Sequence, residues 1–262
     1  MKYVLLFFCF FSVNSLIAQP RAYTTANAHS HNDYEKPDPF YKAYKHQFGS
    51  IEADIFLLKE SDDLFVAHNR SDLDKKRRTL DSLYLQPLAN CIRKNNGFVY
   101  SDTSRKLQLL IDIKTEAIPT LNRLIEQLRK YPELINASTL KIVISGNRPP
   151  ADMFIVYPPF IFFDGVVGTQ YSNEALSRIP LFSGNFSAFS KWNGKGSMPE
   201  NDRNELLKAI SEVHLNAKPV RFWGAPDGND AWIQFMSLQA DYINTDRIEE
   251  LSKFIETSQQ KR

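Results

Sequence analysis

Polar and apolar positions alternate in short blocks along this chain. Ser50–Leu57 reads SIEADIFL, with Glu52 and Asp54 two apart and Ile51, Ala53 and Ile55 between and around them. A period of two is that of a strand with unlike faces. Similar runs at Thr25–Ser30, Gln108–Lys114, Lys141–Ser145, Ile161–Val167, Ile179–Ser183, Pro219–Gly224 and Asp241–Thr245 predict seven more strands. Leu64–His68 reads as an extra strand, joined to the second by a turn at Glu60–Asp63. Helical spacing is found over Pro39–Phe48, Ile118–Lys130, Asp202–Leu215, Asp230–Leu238 and Arg247–Thr257.

Strands alternating with helices build a parallel sheet from βαβ units. Eight of them over about 240 residues match a single-domain α/β fold, the (β/α)8 TIM-like barrel, for which roughly 250 residues is typical. An open doubly wound sheet is the alternative, because loop-like sequence separates the fifth and sixth strands.

Composition narrows this picture. Hydrophobic residues make up 43% of the 262, enough for one large core. Basic and acidic residues number 32 and 30, so no basic stripe marks a nucleic-acid partner. Lys2, the apolar run Tyr3–Val13 and the small residues of Ser15–Ala18 predict a signal peptide over 1–18, leaving a barrel domain over 19–262. The apolar run is short for a bilayer span, although an uncleaved anchor is the alternative. With Cys9 in that run, Cys91 stands alone and no internal disulfide forms. An exported protein without disulfides is expected to be bacterial, periplasmic or secreted.

Chemistry gathers at strand ends. Glu52 and Asp54 share a strand face, and on a barrel that face is the interior near the C-terminal rim, where catalytic groups sit. Two such acids repel unless a cation joins them. Asp112 repeats the placement on the next strand, which gives three oxygen ligands for one divalent cation, Mg2+ or Ca2+. Lys114 stands two residues on, as a point charge for a phosphate oxygen. His31 and His68 end the first strand and the hairpin return, so they can share the roles of general base and general acid. His46 and His214 lack such partners and are read as structural. The His29-x-His31 spacing also suits a multi-histidine zinc hydrolase, but the chain supplies few further histidines for one.

The segments AHSHNDYEKPDPFYKAY, SIEADIFL, LFVAHN, RTLDSLYLQPL, LLIDIKTE, VRFWGAPD and YINTD resemble, in this order, the PI-PLC-like phosphodiesterase superfamily. That superfamily includes glycerophosphodiester phosphodiesterases and sphingomyelinases D, and the chain looks most like the branch named after altered inheritance of mitochondria protein 6. The resemblance implies a TIM-like barrel with one divalent cation and two histidines. It carries the first histidine to His31, the Glu-x-Asp pair to Glu52 and Asp54, the second histidine to His68, and an Asp-x-Lys to Asp112 and Lys114. It adds Arg221 and Trp223 as pocket residues. Asn32 and Asn69 replace the arginine and aspartate usual after the two histidines, which puts glycerol as head group in doubt. Asn32 joins Lys114, Arg221 and Trp223 as a substrate-binding residue, and His29 stays open as the first histidine.

The implied activity is cleavage of a small-molecule or lipid phosphodiester by a monomer in transient contact with a membrane surface. A non-catalytic barrel that keeps its metal for structure is the other reading. Lys75–Arg78 reads as a solvated basic loop or an anionic-lipid contact. Residues 190–202 read as a surface connection or a lid.

Overall fold

The alternation in Ser50–Leu57 gives strand β2, flanked by β1 (Ala28–Ser30) and β4 (Leu107–Ile113). The computed structural model describes residues 22–59, 61–73 and 78–260. Further parallel strands are β5 (Leu140–Gly146), β6 (Ile161–Val166), β7 (Leu181–Asn185), β8 (Val220–Trp223) and β9 (Ile243–Thr245), in the order β8-β7-β6-β5-β4-β2-β1-β9. A parallel bridge between Arg221 and Tyr242 returns β9 to β8, and the amides of Asp241 and Tyr242 both donate to the Val220 carbonyl. The result is a nearly closed barrel of eight parallel strands, a single-domain TIM-like (β/α)8 fold rather than an open sheet. One antiparallel strand, β3 (Leu64–Val66), folds back on β2 outside the cylinder.

Helices cover the outside: α1 (Tyr41–Lys45), α2 (Gln86–Lys94), α3 (Ala117–Leu128), α4 (Pro132–Asn136), α5 (Asn173–Ser177), α6 (Glu200–Leu215), α7 (Asn229–Ser237) and α8 (Ile248–Gln260). Helix α3 buries Leu121, Leu124, Ile125 and Leu128 in one core with Leu109, Ile111 and Ile113 of β4. Each such side chain, withdrawn from water, contributes on the order of 2 kcal/mol. Helices α2, α4 and α5 have no counterpart among the sequence-predicted elements. Proline in the first turn of α2 and α4, and the five-residue length of α4 and α5, hide their periodicity. No described helix is long and apolar enough to cross a membrane.

Inside the cylinder, Leu110, Val143 and Leu181 pack with Phe162 and Tyr242. One step along each strand the inward positions become polar. Asp54 pairs in register with Asp112, and Asp112 with Ser145, so the β-ladder itself sets the acids side by side.

Residues 190–202 are a pinned connection rather than a lid. Trp192 is buried and donates to the Lys195 carbonyl, Ser190 Oγ donates to Asp202, and the Gly196 amide donates to Asp230. In the basic segment, Arg78 donates to the Tyr34 carbonyl, so it holds the fold. Lys75–Arg77, Glu60 of the expected turn and the expected signal peptide over 1–18 lie outside the described residues.

Candidate active site

His31, Asn32, Glu52, Asp54, His68, Asp112, Lys114, Arg221 and Trp223 line one cavity of about 510 Å3 at the C-terminal mouth of the barrel. Parallel strands bring them together: every crossover returns the chain to the same end, so residues distant in sequence meet at one rim.

Three acids form its centre. One oxygen each from Glu52, Asp54 and Asp112 falls within 4.8 Å of the others, and among the described residues this is the one such group. Burial, then the charge of Glu52, pushes the Asp54 carboxyl up to about 7. Its Oδ1 is buried with no hydrogen-bond partner. An unpaired buried acceptor costs about 1–3 kcal/mol, and a cation would relieve both this and the crowding of carboxylates. The oxygen-only donor set therefore fits a hard divalent ion. Gly146, at φ 66°, lets β5 pass close beside Asp112, since a Cβ there would collide with Asp112 Oδ1 and the Ile113 carbonyl. Lys114 Nζ lies 2.9 Å from both Asp54 Oδ2 and Asp112 Oδ1. Burial opposes its charge, but these two acids hold its pKa up at about 12.

Beneath the acids lies His29, which is fully buried. Its Nδ1 is 2.7 Å from Ser50 Oγ, and its Nε2 is 2.7 Å from Glu52 Oε2 and 2.8 Å from Arg221 Nη1. Burial and the Arg221 charge lower its pKa to about 4. His29 thus wedges Glu52 in place and does not line the cavity, whereas His31 does. Arg221 is also tied down: Nε donates to Ser183 Oγ at 2.7 Å and Nη1 to Glu52 at 3.2 Å. Arg221 and His29 hold Glu52 below the usual carboxylate range although burial works against them. Arg221 is the cavity floor, whereas Trp223 is 44% exposed at the mouth.

Two residues missed in the sequence reading position the two remaining histidines. His31 Nδ1 lies 3.3 Å from Asp246 Oδ1 and 3.1 Å from Asn32 Nδ2. Burial disfavours the charged ring, but the Asp246 hydrogen bond and the Glu52 charge outweigh it and raise its pKa. His68 Nδ1 lies 3.1 Å from the Tyr34 hydroxyl, which also lies 2.8 Å from Asp54 Oδ2 and 2.8 Å from Asn32 Oδ1. A hydroxyl has one proton, and two oxygens already compete for it. With that proton given to either oxygen, the Tyr34 oxygen can accept from His68 Nδ1, the arrangement that would leave Nε2 as the acceptor. Tyr34 and Asp246 both fall in the quoted motifs HSHNDYEKP and YINTD, but nothing in their spacing pairs them with His68 and His31. His46 and His214 bond Ser252 and Asp241 instead, away from this cavity.

A parallel barrel with acids, a lysine and two histidines at its mouth defines the class of phosphodiesterase barrels, and the comparisons agree. The model of the AIM6-like phosphodiesterase domain matches residues 20–136. A homolog of altered inheritance of mitochondria protein 6 from Arthroderma benhamiae is 37% identical, covering 84% of this chain and 81% of its own. The Kluyveromyces lactis protein of that name is 26% identical over 87% of this chain and 72% of its own. The chain belongs to the altered inheritance of mitochondria protein 6 family, and it is a phosphoric diester hydrolase.

Solved structures share the fold. A glycerophosphodiester phosphodiesterase from Parabacteroides distasonis superposes with TM-score 0.56 at 13% identity, over 89% of this chain and 98% of that one. An Oleispira antarctica phosphodiesterase, solved with its product sn-glycerol-3-phosphate, gives 0.54 at 14% identity, over 87% and 95%. A Ca2+-dependent PI-PLC from Streptomyces antibioticus gives 0.52 at 13% identity, over 87% and 97%. The fungal origin of the sequence relatives overturns the expectation of a bacterial, periplasmic or secreted protein and points to a eukaryotic cell.

Proposed function

We propose that this protein is a divalent-metal-dependent phosphodiesterase that cleaves a glycerophosphodiester or phospholipid-like diester by proton transfer through two histidines. The observation that carries this reading is the meeting of His31 and His68 with Glu52, Asp54 and Asp112 on one cavity. Those three acids would hold the ion, Mg2+ or Ca2+, and the Ca2+ dependence of the Streptomyces enzyme supports the second choice. A bound ion polarises a phosphoryl oxygen.

The chain's own groups divide the remaining work. His68, with Nε2 bare, takes the proton from the attacking hydroxyl as its oxygen bonds to phosphorus. His31, whose protonated form the Asp246 carboxylate favours, gives a proton to the leaving oxygen as the other P–O bond breaks. Each transfer is typically worth about 10²–10⁴ in rate. Lys114, held charged between two acids, neutralises the phosphoryl oxygens. Asn32 and Trp223 border the bound diester, and Arg221 supports its floor. One chain supplies every group, so a monomer suffices. Val166 and Trp223, 40% and 44% exposed on the cavity rim, offer apolar surface to a membrane that presents lipid substrate.

The test is turnover of bis-p-nitrophenyl phosphate, glycerophosphodiesters and lysophospholipids, with EDTA and with added Mg2+ or Ca2+. Activity is expected only with added metal. His68→Ala is expected to lose all substrates. His31→Ala is expected to spare p-nitrophenyl release, because that leaving group departs without a proton. Wild-type turnover in either variant on an alkyl diester rejects the assignment.

A further inference from the structure

The phosphoryl chemistry uses one half of the mouth, built from β1, β2, β3 and β4. The other half is formed by the ends of β5, β6, β7 and β8, and it carries Ser145, Arg148, Asp164 and Ser183. Arg148 follows the Gly146 turn and is half-buried. Its guanidinium makes no hydrogen bond or ion pair with a described residue.

Asp164, the acid of this half, feels the Arg148 charge but forms no ion pair with it. It is 2% exposed, and its Oδ2 accepts from Ser145 Oγ at 3.3 Å and lies 3.8 Å from Arg221 Nη2. Its Oδ1 has no partner. One side of the cavity therefore presents a planar cation with no ion-pair or hydrogen-bond partner among the described residues, and a buried carboxylate oxygen, Asp164 Oδ1, with no hydrogen-bond partner. A guanidinium fork matches a carboxylate in two parallel hydrogen bonds. A buried carboxylate oxygen is stabilised by an incoming N–H or O–H. A quaternary ammonium has neither an anion for Arg148 nor a hydrogen-bond donor for Asp164, and a glycerol head has hydroxyl donors for Asp164 but no carboxylate for Arg148.

We propose that this half of the mouth is a head-group subsite for an alcohol bearing a carboxylate beside an N–H or O–H donor, serine being the simplest, with Arg148 taking the carboxylate and Asp164 the donor. The assignment rests on the diesterase reading, since the head group is the alcohol half of the diester.

Two measurements test it. The first is kcat/KM on glycerophosphoserine, glycerophosphoglycerol and glycerophosphocholine with Mg2+ or Ca2+ present. The serine diester is expected to exceed the glycerol diester by about tenfold, the scale of a charge-assisted hydrogen bond, with choline last. Arg148→Gln, at a half-exposed position, is expected to bring the serine-to-glycerol ratio to about one, chiefly through KM. A wild-type ratio at or below one, or a ratio unmoved by Arg148→Gln, overturns the subsite. The second is calorimetric binding of O-phosphoserine against ethanolamine phosphate, which lacks the carboxylate. Tighter phosphoserine binding, lost in Arg148→Gln, supports the subsite, and equal binding overturns it. Absence of turnover on every diester refutes the diesterase reading, while the binding result still decides the subsite.

Discussion

The Tyr34 hydroxyl touches His68 and Asp54 at once, 3.1 Å from Nδ1 of the first and 2.8 Å from Oδ2 of the second. It couples a proposed proton-transfer group to one of the acids proposed to hold the ion. Tyr34→Phe keeps the ring in the core and removes the hydroxyl with its contacts to His68, Asp54 and Asn32. His68 is then free to adopt its other tautomer, with Nε2 protonated and unable to accept. A fall in kcat of about ten- to a hundredfold is expected, with KM little changed. Each buried hydrogen bond lost with the hydroxyl lowers stability by about 1 kcal/mol. Kinetics and urea unfolding on the same sample check both, and unchanged kcat defeats the tautomer argument.

Asp246 gives His31 its pH behaviour. The raised pKa means that the donating, protonated ring persists above about 6.5 and is lost as pH rises through the folded value. Any stability the charged ring gains is present below about 6.5 and declines over the same rise. Asp246→Asn removes the partner, so the alkaline limb of kcat is expected to shift to lower pH. The profile on an alkyl diester reports this, and an unmoved limb means that His31 is not the acid.

Gly146→Ala is expected to cost more than a positive φ alone. The left-handed conformation costs about 1–2 kcal/mol for a residue with a side chain. The added methyl would also push Asp112 away from Asp54. Gly168, at φ 84° with nothing within 4 Å of an added Cβ, is the control. Thermal unfolding should show a larger loss for Gly146→Ala than for Gly168→Ala. Only the first should weaken the response to metal.

Added Mg2+ or Ca2+ should raise Tm, by mass action worth about 2.7 kcal/mol at a hundred times Kd. EDTA should reverse the shift. Asp54→Asn and Asp112→Asn should each abolish it, because each removes a charged ligand from a set of three. Differential scanning fluorimetry at several metal concentrations suffices. A shift that survives in both variants places the ion elsewhere.

The site was legible in the sequence where local periodicity controls direction. Glu52 and Asp54 on β2, and Asp112 on β4, face the interior because strand alternation leaves them no other side. The strands at Ile161–Val166 and Leu181–Asn185, separated by loop-like sequence, were visible from apolar content, though the second begins two residues late. What could not be read were the partners. Asn32 adopts φ 46°, a left-handed turn that swings Tyr34 back under His68, and no residue count gives that direction. The link from His31 to Asp246 spans 215 positions and exists only because β9 lies beside β1. His29 and His31 look equivalent as a pair, yet the chain leaves the strand after Ser30, so one ring is sealed inside and the other reaches the mouth.

His68 rides on the antiparallel return that follows β3, outside the staves of the cylinder. Strand β3 pairs with β2 only from Ile55 to Leu57, so its turn can lengthen or shorten beyond the parallel ladder that seats the acids. One of the two proposed proton-transfer groups thus sits on a ribbon of its own, tied to the acids through the Tyr34 hydroxyl. Related chains could retune reach and substrate size by editing that single ribbon.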